Sequence, residues 1–205
     1  MLLELYITIL VGLNAWEYAR APTDYVRVLV KNQSLLPTTL SHMLVTNVVG
    51  TYSSDRFLLP TLHDHDDLLT ELLRFFVILH LVEAWTFFTH YGMHRFWYRP
   101  HKKHHQVTET SVLFTYHNGL FDTIVAAMPF YTVPLLMGVS RWGYVATVGY
   151  HVLMGSLAHR MPTTRGDTTF SFHNYHHAAF MYNFGTGYPG TFHVWDRLFG
   201  TLRSF

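Results

Sequence analysis

Sixteen histidines stand in 205 residues, against thirteen acids. Eight of them fall into three ordered boxes: His90-Tyr-Gly-Met-His94, His101-Lys-Lys-His104-His105 and His173-Asn-Tyr-His176-His177. Neutral imidazole is a metal ligand, and i and i+4 side chains lie one above the other on a helix face, so the first box points two rings the same way. On a helix an H-x-x-H-H box spreads three rings over roughly 100°, which lets adjacent histidines serve different metals. A single box interrupted by Lys102 and Lys103 has a bland reading as a solvated basic tract. Two copies plus the H-x-x-x-H pair exceed the three or four ligands of one zinc ion, so a two-metal site is the simplest account. Imidazole suits iron, zinc, copper and nickel alike. Ligand number and a membrane setting favour redox iron, with zinc a possible occupant of purified protein.

Other chemistries lose ground on the same reading. There is no cysteine, which excludes disulfides, iron-sulfur ligation and a thiolate-held haem within the chain. There is no H-E-x-x-H, no G-x-S-x-G and no glycine-rich phosphate loop. The formal net charge is +1, and the basic residues sit in small clusters beside apolar runs, so no nucleic-acid partner is expected.

The elements that must carry these boxes are apolar. Hydrophobic residues make up 49% of the chain and charged residues only 13%, unlike an ordinary soluble surface. A bilayer core needs about 20 apolar residues per helix. Five runs approach that length: Leu2 to Ala19, Leu35 to Tyr52, Leu68 to Tyr91, Leu120 to Val139 and Trp142 to Ala158. The second, which holds His42 and Asn47, has an alternative reading as a buried or interfacial segment. The first has neither a basic start nor a cleavage site and reads as an anchor. Basic connections (Arg20, Arg27, Lys31; Arg95, Arg99, Lys102, Lys103; Arg160, Arg165) alternate with the acidic one (Asp55, Asp64, Asp66, Asp67), which puts every histidine box on the cytosolic side. The fold class expected is therefore all-α integral membrane, with four to five transmembrane helices and a cytosolic histidine-rich helical cap holding a dimetal site. It forms one domain, with anchor segments over 1–67 and a catalytic part over 68–205. The stretch Thr163 to Phe205 has no spanning run and is placed as a lid over the helix ends.

On the third run His80, Glu83, His90 and His94 fall within an arc of roughly 80°, a polar stripe that must face protein. For His80 alone, interhelical hydrogen bonding explains the stripe equally well. His117, His151 and His159 are individually weak additions. The ordered set H-x-x-x-H, H-x-x-H-H, H-x-x-H-H, followed by Asn183-Phe-Gly and Trp195-Asp-Arg-Leu-Phe-Gly-Thr201, resembles the fatty acid hydroxylase and sterol desaturase superfamily of membrane di-iron enzymes. The similarity covers Glu83 to Leu202. Its spacing from His151 through His159-Arg160 is most like sterol-modifying members. Acyl hydroxylases usually carry a late histidine pair four apart, and here Gly155 fills that position.

The resemblance implies that His90, His94, His101, His104, His105, His173, His176 and His177 bind two irons, with His117, His151 and His159 as further ligands. Glu83, Asn174 and Asp196 then support the ligands from behind. It also implies hydroxylation of an unactivated C–H bond on a sterol or fatty-acyl lipid with dioxygen. No side-chain base near neutral pH breaks such a bond. Electrons would come from a cytochrome b-type donor and its NAD(P)H reductase, for which Arg95, Arg99, Lys102 and Lys103 offer a dock, unless these four only fix membrane orientation. The expected location is the endoplasmic reticulum, or the inner membrane of a bacterium. Phe87, Phe88, Phe114 and Phe121 are the expected walls of a lipid channel. A desaturase or sterol methyl oxidase on the same scaffold, a non-catalytic zinc-binding membrane protein, and a histidine-lined metal transporter are the competing readings.

Overall fold

The computed structural model describes residues 1–161 and 171–203, and among these every regular element is helical. In chain order they are α1 (Leu2–Arg20), α2 (Pro22–Lys31), α3 (Leu36–His42), α4 (Val49–Ser53), α5 (Leu68–Phe96), α6 (Tyr98–His101), α7 (Leu120–Leu136), α8 (Arg141–Ala158), α9 (Ser171–Ala178) and α10 (Val194–Leu198). Arg165 lies outside the described residues, as do the first residues of the expected lid.

Five segments run alternately up and down. Leu5 lies against Gly149, and the Glu17 carboxylate accepts the N–H of Met161 at 2.5 Å, so α1 and α8 advance in parallel with matched twelve-residue steps. Helix α5 runs alongside α8, with Phe75 edge-on to Tyr150, and antiparallel to α7, where the Trp85 indole N–H donates to the Val125 carbonyl at 2.9 Å. Leu2, Leu59, Ile78, Val82, Tyr144 and Val148 form the core of one half. Val28, Val107, Phe114 and Met161 form a smaller core towards the other. Asp55 caps α1 from outside by accepting the N–H groups of Leu2 and Leu3 at 2.8 and 2.9 Å, two of the orphan donors at a helix start.

Among the described residues one helix, α5, is long and apolar enough to cross a membrane. Its outer face carries Leu68, Leu69, Leu72, Leu73, Phe76 and Val77, all exposed. That measure does not confirm the expected four to five, and the shorter segments fall outside it for physical reasons. Glu4, Glu17 and Arg20 interrupt α1. The run from Leu35 to Tyr52 is a helix broken by a wider π-turn at Met43–Val48, and a second π-turn follows it at Ser54–Leu58. Helix α7 stops at seventeen residues and contains Pro129 and Pro134.

The two ends differ in chemistry. Arg141 pairs with Asp64 and Arg74 with Asp66 at one end. At the other, Arg27 and Lys31 both pair with Glu109, tying α2 to the segment that follows the second histidine box.

Candidate metal centre

Helix α5 continues past the apolar run to Phe96, so His90 and His94 sit in its final turns, and Glu83 lies two turns before His90 on the same inward stripe. The chain leaves the helix at Trp97, where φ is −150°, and turns back. The second box is therefore not one continuous α-helix. His101 closes α6, and His104 and His105 lie on a tighter 3₁₀ turn. The third box lies on α9.

These elements bring nine rings into two groups, and within each group the coordinating atoms lie within 4.8 Å of one another. One group is His90, His94, His101, His105 and His176; the other is His104, His159, His173 and His177. The adjacent pairs His104/His105 and His176/His177 are split between the groups, as the angular spread of an H-x-x-H-H box requires. His159 joins the second group from the end of α8.

Five of the rings have a fixed orientation. Each donates its Nδ1–H outward: His90 to Phe184 O (2.9 Å), His101 to Asp122 Oδ2 (2.9 Å), His159 to Gly155 O (2.9 Å), His176 to Tyr182 O (2.7 Å) and His177 to Val107 O (3.0 Å). A proton on Nδ1 leaves the lone pair on Nε2, facing inward. The Nε2 atoms of His90, His101 and His177 are buried with no hydrogen-bond partner among the described residues. Elsewhere Nε2 atoms face one another: His94 to His105 at 3.0 Å, His176 to His105 at 3.1 Å, His104 to His173 at 3.2 Å and His104 to His159 at 3.4 Å. Adjacent nitrogen ligands of one ion at about 2.1 Å sit roughly 3.0 to 3.4 Å apart, so the donor set fits a cation in each group. Burial, then the charge of neighbouring rings, pushes the imidazoles of His104, His173, His176 and His177 well below the usual histidine range. His101 is lowered to about 3, by burial and then by His159, and His159 to about 4 by burial. All are therefore neutral near pH 7, the form that binds a metal.

A further layer holds these rings in place. The Asp196 carboxylate accepts the N–H groups of Phe184 and Gly185, each at 2.8 Å, and Glu83 accepts the N–H of Thr186 at 2.8 Å. The two acids grip the turn whose carbonyls receive His90 and His176. Gly185 is obligatory between them: a Cβ there would come within 2.3 Å of Glu83 Oε1 and 2.8 Å of Asp196 Oδ2. Asn183 adopts φ +58° and closes the turn through its side chain, donating to Phe172 O and Arg203 O and accepting from Arg203 N. The hydrogen bonds of the Asn174 side chain go to Thr110 and Arg160 and not to a histidine ring. The side chain donates to Arg160 O at 2.7 Å and accepts from Thr110 at 2.5 Å, anchoring α9 to the end of α8.

Two of the expected further ligands lie outside both groups. His117 is committed elsewhere, with Nδ1 at 3.0 Å from Thr39 Oγ1 and Nε2 at 3.2 Å from Gln106 Oε1. His151 is two turns short of His159 along α8, too far back to reach the second group. His80 bonds to Phe76 O within its own helix. Sequence reasoning missed Asp122, the acceptor for His101, and Glu17, which is fully buried and takes the N–H groups of Val112 and Met161. The signal for both was present: an acid inside an apolar run is costly unless it has a fixed partner. A looser grouping of His63, Asp66 and Glu71 lies at the opposite end, where Asp66 is taken by Arg74 and His63, and Glu71 by the N–H of Ser140.

The histidine groups open onto a cavity of about 200 Å³ between α5, α7 and α8. His90, His101, His104, His159 and His173 form one part of its wall, and Ala127, Phe130, Tyr131, Val148 and Val152 line the apolar remainder. The aromatic walls expected from sequence are elsewhere. Phe87 packs on Phe184 and Phe199, Phe88 on Trp195, Phe121 on Trp97, and Phe114 lies in the smaller core.

No curated protein and no solved structure matches the chain. The family model described as fatty acid hydroxylase matches residues 75–201, from the middle of α5 to the Trp-Asp-Arg segment. Members of that family are membrane-associated oxidoreductases acting as lipid hydroxylases or desaturases, usually dependent on iron. The chain belongs to the fatty acid hydroxylase family, within the fatty acid hydroxylase and sterol desaturase superfamily.

Proposed function

We propose that this protein is a di-iron oxygenase that hydroxylates an unactivated C–H bond of a sterol or fatty-acyl lipid. The single observation that carries this reading is the convergence of two buried groups of neutral imidazoles at the wall of an apolar cavity. His90, His94, His101, His105 and His176 would hold one iron, and His104, His159, His173 and His177 the other. Bound iron would supply the one-electron chemistry with dioxygen that no side chain offers. The balance is R–H, dioxygen, an electron pair and a proton pair in, R–OH and water out.

The chain's own contribution is positioning. Asp122 and the carbonyls of Phe184, Tyr182, Val107 and Gly155 hold the protons on Nδ1, so every supported ring offers Nε2 inward. The lining of Ala127, Phe130, Val148 and Val152 selects an apolar substrate and excludes water from the reacting carbon. Residues 68–205 form the catalytic part and 1–67 the anchoring part, and α1, the broken helix, α5, α7 and α8 all lie within the membrane. The histidine end faces the cytosol, at the endoplasmic reticulum in a eukaryote. Electrons arrive there from a cytochrome b-type carrier and its NAD(P)H reductase, docked on Arg95, Arg99, Lys102 and Lys103.

The test is lipid mass spectrometry of membranes with and without the protein under ¹⁸O₂, with iron counted on the same preparation. A lipid gaining one labelled oxygen, lost in His104→Ala or His176→Ala, is the expected result. A lipid that loses two hydrogens and gains no label would make it a desaturase. Full activity in either histidine variant would contradict the reading.

A further inference from the structure

Of the two expected ligands that lie outside both histidine groups, His117 is hydrogen-bonded through both ring nitrogens and His151 through neither. His151 is 3% exposed, and among the described residues neither Nδ1 nor Nε2 has a hydrogen-bond partner. It nevertheless lines the same cavity as the histidine groups. Phe130 stacks on the ring at 4.5 Å and Tyr188 tilts against it at 5.7 Å, so its plane is fixed by packing on apolar faces while its two polar atoms are unmet. Buried polar atoms are almost always paired, and a neutral imidazole carries one donor and one acceptor. A hydroxyl complements either nitrogen, accepting from the protonated one or donating to the bare one.

We propose that His151 is the anchor for a hydroxyl group on the lipid substrate, held in the cavity at a set distance from the carbon that reacts. This rests on the oxygenase reading above. His151 and His159 lie on one helix, and eight residues at about 1.5 Å each separate them by about 12 Å. His159 belongs to the second histidine group. An extended chain advances about 1.2 Å per bond, so the anchored oxygen and the oxidised carbon lie on the order of ten bonds apart. The substrate class is thus an amphiphile whose hydroxyl enters the cavity, and His151 fixes the position of oxidation by measuring from that hydroxyl. An acyl chain whose polar head stays at the membrane surface would offer His151 no hydroxyl to bind.

The experiment uses the full-length, iron-loaded protein in lipid nanodiscs, with radiolabelled 1-dodecanol and dodecane as matched probes and empty nanodiscs as the partitioning blank. Wild type is expected to retain dodecanol about tenfold over dodecane, and His151→Leu to bring the two within about twofold. His151→Gln, which keeps a donor and an acceptor, is expected to restore part of the preference. Iron content stays at the wild-type value in both variants. Wild type without a preference for the alcohol, a preference that survives His151→Leu, or iron lost from both variants would each overturn the proposal. The readout does not depend on turnover. If the alcohol preference is present and His151→Leu abolishes it while no lipid takes up labelled oxygen, the anchor stands and the oxygenase reading falls.

Discussion

The two histidine groups share their ligand chemistry but are held by different parts of the chain. In the group of His90, His94, His101, His105 and His176, two supports come from one turn, through Tyr182 O and Phe184 O, and that turn is clamped by Glu83 and Asp196. In the group of His104, His159, His173 and His177, the supports are dispersed. His159 leans on Gly155 in its own helix, His177 on Val107, and the end of α8 is joined to α9 by Asn174 and to α1 by Glu17. The first site is braced by buried charge on a short turn, the second by docking between helices. Disturbing the two braces should therefore have separable consequences.

The largest effect is expected from the rings themselves. His176→Ala and His177→Ala each remove a ligand at the junction of the two groups and should lower product formation by more than about a hundredfold, measured with labelled oxygen. Asp196→Asn comes next, expected to cost about 10- to 100-fold in iron affinity or activity, with the loss confined to the five-histidine group. Equal loss from both groups would erase the distinction drawn above.

Acid should weaken both groups together. His101 and His159 have folded-state pKa values lowered to about 3 and 4, below the ordinary value of 6.5. Between those limits the unfolded chain binds protons that the folded chain does not, so stability falls as pH drops below about 6.5. Thermal unfolding of the apo protein followed from pH 7.5 to 5 should show the midpoint falling, and a flat profile would count against neutral buried rings.

Glu17→Gln is a smaller and more selective change. It replaces a carboxylate that takes two N–H groups with an amide that can match only one, at a cost of about 1 to 3 kcal/mol, or a drop of roughly 2 to 10 °C in Tm. Iron loss should then favour the four-histidine group. Smallest of all is reversal of Lys102 and Lys103 to Glu, which should slow reduction by the electron carrier severalfold and reduce its salt dependence, leaving iron content unchanged.

Much of the site was legible in the sequence because its spacing is local. The i, i+4 pair on α5 and the splitting of His176 from His177 on α9 follow from helix geometry, and Glu83 lies on the same stripe as His90. What was not legible depends on direction across the bundle. His117 and His151 read as equal to His159 by residue type, yet only His159 stands where α8 delivers it to the group. Phe87 and Phe114 are as aromatic as Phe130, but composition does not say which of them faces the cavity. The break inside the run from Leu35 to Tyr52 is not legible, since no proline or glycine spacing in Met43–Val48 announces a π-turn. Asp122 and Glu17 were overlooked because each is a single acid in an apolar run, with a partner far away in sequence.

The central claim is that two ions are held separately, one by each histidine group. The most direct measurement is iron per chain, counted on purified wild type and on two multiple variants, His94→Ala/His105→Ala and His159→Ala/His173→Ala. Two irons in wild type and one remaining in each variant is the predicted result. A wild-type chain that saturates at a single iron, or two irons that survive both sets of substitutions, would contradict it.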